Sequence, residues 1–437
     1  MYVRSIHIEN VKLLRDLKMS FLREGEPRMW TVFVAENGLC KTTLLQSIAL
    51  AACGPERANQ LANIPALRDR RQSKPRVLIE SEFEFGTQWH ADRTYPGLSR
   101  QLSEPPRIRS TLELRWGLKY LEASSSYEAG APSINGSVPD PLKSARLHNY
   151  PFWFVAGYGV DRSLPLPKFQ NSSFEPEPLA SLFAKGPIIG TGFADLFDKT
   201  DRVRSFGKIL RQCLLEGKQL LPRITGIDLR GKGGVKQAKQ IVESHRFEFQ
   251  AGQQLVKIPA TWLSQGYQAL IAWVADLVGH MFWDSNRAIE PEQMEGLVLI
   301  DELDLHLHPT WQLTLIESLK STFPKVQFVC TTHSPMLLPG LKQDEIWLLK
   351  QNAQGDVEVH AADQSPLLMT GSEIYSEFFG IDRLYPNEMG EKLLRFGYLM
   401  TMPDRTPNEQ QQFLALQREL AAAGIEPPVQ PAPNSTP

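Results

Sequence analysis

A lysine followed by two threonines, Lys41-Thr42-Thr43, ends the polar loop Ala35-Glu36-Asn37-Gly38-Leu39-Cys40. The loop lies between an apolar run, Trp30 to Val34, and a segment that carries Leu44, Leu45, Ile48 and Ala52 at helical spacing. Between a strand and a helix N-terminus the backbone N–H groups have no partners and suit phosphate oxygens. Lys41 would there reach the terminal phosphates, and the Thr42 hydroxyl would ligate Mg²⁺, a hard cation that takes oxygen donors and keeps several waters. The GxxxxGK[ST] pattern asks for glycine where this chain has Ala35 and Cys40, so strain or crowding is expected at both positions. Taken alone, the loop is equally a plain strand-to-helix connection.

Three later stations bear on that choice. Leu297-Val298-Leu299-Ile300 reads as a buried strand that delivers Asp301 and Glu302 at its C-terminal end, where α/β sheets bind ligands. Asp301 would orient Mg²⁺ through water, and Glu302 would polarise the water that attacks the terminal phosphate. Surface acids after a strand are the plainer account. In Leu263-Ser264-Gln265-Gly266-Tyr267-Gln268 a serine and a glycine open a helix whose stripe is Leu270, Ile271, Val274, Leu277, Val278 and Met281. That end offers a hydroxyl and bare N–H groups to a phosphate brought by another subunit, or is an ordinary serine cap. His333, in Cys330-Thr331-Thr332-His333-Ser334-Pro335, would stand beside Asp301 and Glu302 if their strands are neighbours.

The elements that must position these residues follow from periodicity. Met1 to Asn10 alternates as a strand, and Val77 to Phe85 begins a set of antiparallel strands that runs to about residue 120. Residues 121–147 read as a loop and about 176–222 as helical. Ile224 to Phe249 reads as two strands with a basic tip. After Leu263 the order helix, strand, helix, strand is that of a parallel α/β sheet, which the N-terminal strand and loop are expected to share. The expected division is an N-terminal lobe at 1–120, an insertion at 121–250, a C-terminal lobe at 251–370, a helical extension at 371–424 and a disordered proline-rich tail at 425–437. The chain has 437 residues, 42% hydrophobic and 22% charged, with net charge -2, which excludes a disordered chain and a globally basic nucleic-acid binder. Four scattered cysteines suggest neither zinc nor disulfides. The absence of a signal-like start and of an uninterrupted apolar span leads us to expect a cytoplasmic protein without membrane contact.

In order and spacing the four stations resemble the Walker A, signature, Walker B and switch-histidine motifs of the ABC ATPase superfamily. The run Asp301-Glu302-Leu303-Asp304-Leu305-His306-Leu307-His308-Pro309 is similar to that of the SMC, RecF and OLD-type members rather than the transporters, and the opening strand with Asn10 resembles the same group. The resemblance covers roughly 1–55 and 255–350. It implies an α/β P-loop ATPase head with a mixed core sheet, an antiparallel β subdomain and a helical insertion. It also implies ATP held by Glu36, Asn37, Gly38, Leu39, Cys40, Lys41, Thr42 and Thr43, Mg²⁺ at Thr42 and Asp301, and catalytic roles for Glu302 and His333. In a homodimer or higher even-numbered oligomer, Ser264 and Gly266 of one subunit would complete the other's site. Phe154 to Arg162 is similar to a YG-x-x-R segment of small bacterial ATPases, which implies Arg162 as a phosphate contact.

The stretch between the P-loop helix and Ser264 is too short for long coiled-coil arms at about 1.5 Å per residue, and no acidic cluster of Toprim layout follows His333. The layout therefore resembles the stand-alone ATPases of bacterial anti-phage defence, which implies a separate nuclease effector gated by nucleotide. Two alternatives stay open. A RecF-like DNA-binding ATPase would use Lys232, Lys236 and Lys239, or Arg68, Arg70, Arg71 and Lys74, on DNA phosphates. A nucleotide-gated scaffold would use Ile374, Phe378, Phe379 and Tyr385 as a protein anchor.

Overall fold

A computed structural model describes residues 1–84, 107–128, 154–164, 178–184, 200–216, 220–228, 246–285, 289–381 and 387–425. The chain divides into two units, Met1–Met369 and Thr370–Pro437.

The first unit opens with an antiparallel pair, β1 (Tyr2–Val11) and β2 (Leu14–Ser20). Alternation in β1 buries Ile6 and Ile8 and leaves His7 and Glu9 at the surface side. β3 (Trp30–Val34) is buried at every position and leads through the lysine loop into α1 (Lys41–Leu61). β4 (Val77–Glu84), β5 (Arg107–Leu114) and β6 (Glu122–Glu128) complete a five-stranded antiparallel sheet in the order β2-β1-β4-β5-β6. The loop expected from residue 121 thus holds a strand. Glu-Ala-Ser-Ser-Ser-Tyr-Glu has no apolar alternation to announce it, and cross-strand pairing with β5 supplies the order instead.

The core sheet draws on both ends of the chain and on its middle. β7 (Val155–Tyr158) is followed by α2 (Ala180–Phe183) and α3 (Thr200–Leu214). Next comes a small antiparallel sheet of β8 (Ile224–Asp228), β9 (Arg246–Ala251) and β10 (Gln254–Ile258). The basic tip with Lys232, Lys236 and Lys239 lies outside the described residues. α4 (Gln265–Ser285), β11 (Gly296–Ile300), α5 (Pro309–Thr322), β12 (Val326–Thr332), β13 (Ile346–Gln351) and β14 (Val357–Ala361) follow. The six-stranded order is β14-β13-β3-β12-β11-β7, parallel except at β14. The α/β class expected from the alternation is the observed one, and β3 does sit between β12 and β13. Periodicity does not announce β7, because Val-Ala-Gly-Tyr is too short and too small-sided to register.

α1 touches both sheets, and its face toward each is small or branched: Leu44, Leu45, Ile48, Ala49, Leu50, Ala51 and Ala52 are all fully buried. A helix covered on all sides reads as apolar all round. α4 is the same case. It is buried from Ala269 through Phe282, so the stripe read from its sequence is only part of a fully enclosed helix. Each such Leu or Ile contributes about 1.5–3 kcal/mol relative to exposure, which makes α1 and α4 rigid supports for the loops at their N-termini. Among the described residues no helix is long and apolar enough to cross a membrane.

The second unit holds α6 (Gly371–Phe379), α7 (Asn387–Thr401) and α8 (Pro407–Ala422). Capping boxes start α6 (Thr370 with Glu373) and α8 (Thr406 with Glu409), and Gly380 at φ 65° ends α6. α7 and α8 join through stacked Phe396 and Phe413, with ring centroids 4.8 Å apart, and through a 3.0 Å Lys392–Glu419 ion pair. Ile374 and Phe378 are buried and Phe379 is half-buried, while Tyr385 lies outside the described residues.

Candidate nucleotide site

The lysine loop is set by two left-handed residues. Gly38 has φ 86°, and Cys40, the N-cap of α1, has φ 59° and ψ 21°. A side chain in that region costs about 1–2 kcal/mol. Ala35 is not among the residues with positive φ, so the strain expected at both glycine-replacing positions falls on Cys40 alone. Glu36, Asn37 and Gly38 are exposed, with Leu39 and Cys40 partly covered. Lys41 is buried, and its Nζ donates to the carbonyls of Ala35 (2.8 Å) and Glu36 (2.9 Å) across the loop. Burial holds the ammonium below the ordinary lysine value, and Asp301, Glu302 and Asp304 pull the other way. Thr43 turns inward and accepts from Lys12 Nζ at 2.9 Å. Lys12 was not singled out from sequence; it sits in the β1–β2 turn beyond Asn10, which lies near the end of β1, and both have positive φ.

The register of β11 against β12, Ile300 opposite Cys330, brings Asp301 level with Thr331. Both Asp301 carboxylate oxygens are engaged: Oδ2 accepts from Thr42 Oγ1 and Oδ1 from Thr331 Oγ1, each at 2.6 Å. Glu302 has φ 48°, and its N–H donates to Thr331 Oγ1 at 2.8 Å. Asp304 Oδ1 accepts from Thr332 Oγ1 (2.5 Å) and from the His333 N–H (3.4 Å). Burial first, and the Lys41 charge second, hold the His333 imidazole below its ordinary value, which keeps it neutral near pH 7. The structure therefore gathers Lys41, Thr42, Asp301, Glu302, Asp304 and His333 at the C-terminal ends of β3, β11 and β12.

Arg162 arrives from β7 beside this cluster, buried, with burial pushing it down to about 10 against the pull of Asp304 and Asp301. Its Nη2 donates to the main-chain carbonyls of Asp301 (3.2 Å) and Glu302. The resemblance implied a phosphate contact for it; the partners its guanidinium has in the structure are backbone carbonyls.

Ser264 and Gly266 stand apart. Ser264 is exposed, and its carbonyl accepts the Gln268 N–H at 3.0 Å as α4 begins. The Gln268 side chain folds back onto the carbonyls of Leu263 (2.6 Å) and Thr261 (3.2 Å), which fixes the turn. A Cβ at Gly266 would lie 2.4 Å from the His306 carbonyl oxygen, so glycine is required there by packing within one chain. Beside them opens a cavity of about 890 Å³ lined by Trp262, Tyr267, Trp311, His306 and His308, with Ser264 on its wall. Among the described residues no hydrogen bond joins Ser264 or Gly266 to the lysine cluster.

The oxygen pair of Thr42 and Asp301 fits a hard divalent cation. Among the described residues no group of three or more His, Cys, Asp or Glu is placed to hold a metal ion. Of the basic set at 68–74, Arg71 is paired with Asp69 (2.9 Å) and Asp356 (2.7 Å), and Arg68 donates to the carbonyls of Arg115 and Leu118.

Comparison with known proteins adds names to this geometry. Residues 146–338 match the family described as "AAA domain, putative AbiEii toxin, Type IV TA system". The Septu protein PtuA of Bacillus mycoides (strain KBAB4) is 26% identical over 94% of this chain and 49% of its own length. The "Retron Ec83 probable ATPase" of Escherichia coli is 41% identical over 22% of this chain and 18% of its own. The chain thus spans half or less of the curated relatives it matches. An SMC head bound to the C-winged helix domain of ScpA aligns with 83% of this chain and 97% of its own, at TM-score 0.48 and 11% identity. Residues 146–338 thus resemble an AAA domain, and the chain is similar to the Septu protein PtuA and, over about a fifth of its length, to a probable retron ATPase.

Proposed function

We propose that this chain binds ATP with Mg²⁺, hydrolyses it slowly, and closes two copies around the nucleotide to gate a separate nuclease effector in cytoplasmic anti-phage defence. The observation that carries the reading is the 2.6 Å contact between Thr42 Oγ1 and Asp301 Oδ2, which joins the end of the lysine loop to the paired carboxylates across 259 residues of sequence. Lys41 would exchange the loop carbonyls for phosphate oxygens. The loop N–H groups would cradle the same phosphates at the α1 N-terminus. Thr42 and Asp301 would hold Mg²⁺, which neutralises charge on the phosphates when bound. Glu302 would orient the attacking water, with neutral His333 as a hydrogen-bond partner beside it. The left-handed Cys40 supports slow turnover, because its Cβ would crowd a phosphate bound at the α1 N-terminus. Ser264, exposed at the start of another element, would serve the second copy's phosphate, with the buried Gly266 packed behind it.

Isothermal calorimetry with ATP and Mg²⁺, phosphate release, and light scattering test the reading together. The expected result is ATP uptake, slow turnover, and a Glu302→Gln protein with turnover down about 100-fold or more that accumulates as an ATP-dependent dimer. No ATP uptake by the full chain would sink it.

A further inference from the structure

Glu302 sits in the left-handed region, a conformation that a non-glycine residue keeps only when its surroundings over-determine it. Two groups hold it. The Thr331 hydroxyl takes the N–H on one side, and Arg162 takes the two carbonyls, of Asp301 and Glu302, on the other.

Arg162 is built into this place. It is 3% exposed, and its Nε has no hydrogen-bond partner among the described residues, so neither solvation nor a saturated ion pair accounts for it. The segment that delivers it is clamped twice. Tyr158, at the end of β7, donates from its buried hydroxyl to Asp276 on α4 at 3.0 Å. Gly159 packs so closely on α2 that a Cβ would lie 2.2 Å from the Ser181 carbonyl, and its N–H donates to the Ser181 hydroxyl at 3.2 Å. α2 is tied to α1 in turn, where Gln46 Nε2 donates to the Leu182 carbonyl at 2.9 Å. The Asp301 carboxylate, by contrast, is held by Thr42 and Thr331 and does not depend on Arg162.

We propose that Arg162 is a positioning residue for hydrolysis: by gripping the Asp301 and Glu302 carbonyls it fixes the left-handed turn that sets the direction of the Glu302 carboxylate, without itself touching nucleotide. The inference rests on the ATPase reading above, and it separates two properties that a phosphate-binding arginine would lose together. Binding of ATP with Mg²⁺ survives its removal; turnover does not.

The test uses the full chain and the variants Arg162→Gln, Arg162→Lys and Glu302→Gln, with kcat, KM and single-turnover rates. The wild type is measured first: if it neither binds nor hydrolyses ATP, the ATPase reading fails and this inference falls with it. With an active wild type, Arg162→Gln is expected to keep ATP affinity within about threefold and to lose about 10- to 100-fold in kcat, the scale of a small misplacement of a reacting group. Both bonds come from Nη2 at the far end of the guanidinium, and the lysine stem, one bond shorter, ends in a compact ammonium that falls short of that position. Arg162→Lys therefore loses about tenfold in kcat at unchanged KM, and it answers the question if the glutamine variant does not fold. In the Glu302→Gln background, Arg162→Gln should cost nothing further. Loss of ATP affinity in step with kcat, an equal loss on top of Glu302→Gln, or wild-type kcat in Arg162→Lys would each overturn the proposal.

Discussion

The lysine cluster and the serine-led end of α4 are both helix N-termini, yet they are built in opposite ways. Around Lys41 the charged and hydroxyl groups are mutually engaged: two carbonyls on Lys41, two threonines on Asp301, one threonine and the His333 N–H on Asp304. Around Ser264 the hydroxyl is exposed, the neighbouring Trp262 is 76% exposed, and the wall behind is an aromatic cavity. A pre-formed network holds its geometry before any ligand arrives, whereas the first N–H groups of a helix have no partner within the helix. The proposed shared site would need that contrast: one half already assembled and an exposed Ser264 for a second copy to meet.

Substitutions can break or sharpen that contrast. Lys41→Met should have the largest effect, weakening ATP binding by at least about 100-fold as two charge-assisted contacts are lost, with calorimetry as the readout. Because burial disfavours the charged lysine, the variant's melting temperature should hold or rise. If ATP affinity were unchanged, the lysine half would not be a phosphate site. Gly266→Ala tests the other half. Its Cβ meets the His306 carbonyl, so chemical denaturation without nucleotide should show a loss of about 1–3 kcal/mol, the scale of overpacking. An alanine tolerated in the single chain but defective in ATP-driven dimerisation would assign this glycine to the interface alone.

Smaller effects follow from local chemistry. Cys40→Gly relieves a left-handed side chain worth about 1–2 kcal/mol but loosens the unfolded chain by about 0.4–1 kcal/mol. The net expectation is a gain of up to about 1.6 kcal/mol on denaturation, together with faster turnover. His333 should show the least. Its folded value lies below the ordinary one, so the unfolded chain binds the proton more readily, and stability falls as pH drops below the ordinary histidine range near 6.5. His333→Gln should flatten that part of a melting-temperature profile between about pH 5 and 7; an unchanged slope would place the titrating group elsewhere.

Much of the lysine half was legible in the sequence because its residues sit where regular elements end. Apolar runs such as Leu297–Ile300 announce a buried parallel strand, and whatever follows them must emerge at the ligand-binding edge. What could not be read depends on contacts between distant segments. β7 has four small residues, and its place beside β11 is set by pairing rather than by pattern. Lys12 reaches Thr43 from a left-handed position in the β1–β2 turn, a contact between segments 31 residues apart. Arg162 was noticed through its YG-x-x-R setting, but the partner inferred for it was phosphate. Its backbone targets become visible only once β7 and β11 lie side by side. At Ser264 and Gly266 the sequence signal was a serine and a glycine before an apolar helix, and the structure adds a local steric reason for the glycine that the pattern alone does not contain.

The most direct test of the central claim, that one copy supplies the lysine loop and its mate the serine-led helix end, is a mixing experiment. Lys41→Met and Ser264→Glu chains are prepared separately and combined, and phosphate release is followed. Each variant alone should be inert, and the mixture should regain part of the wild-type rate, because a mixed pair contains one site with both halves intact. A mixture that stays inert while wild type turns over, or a Ser264→Glu protein that hydrolyses ATP at the wild-type rate by itself, would contradict the shared site.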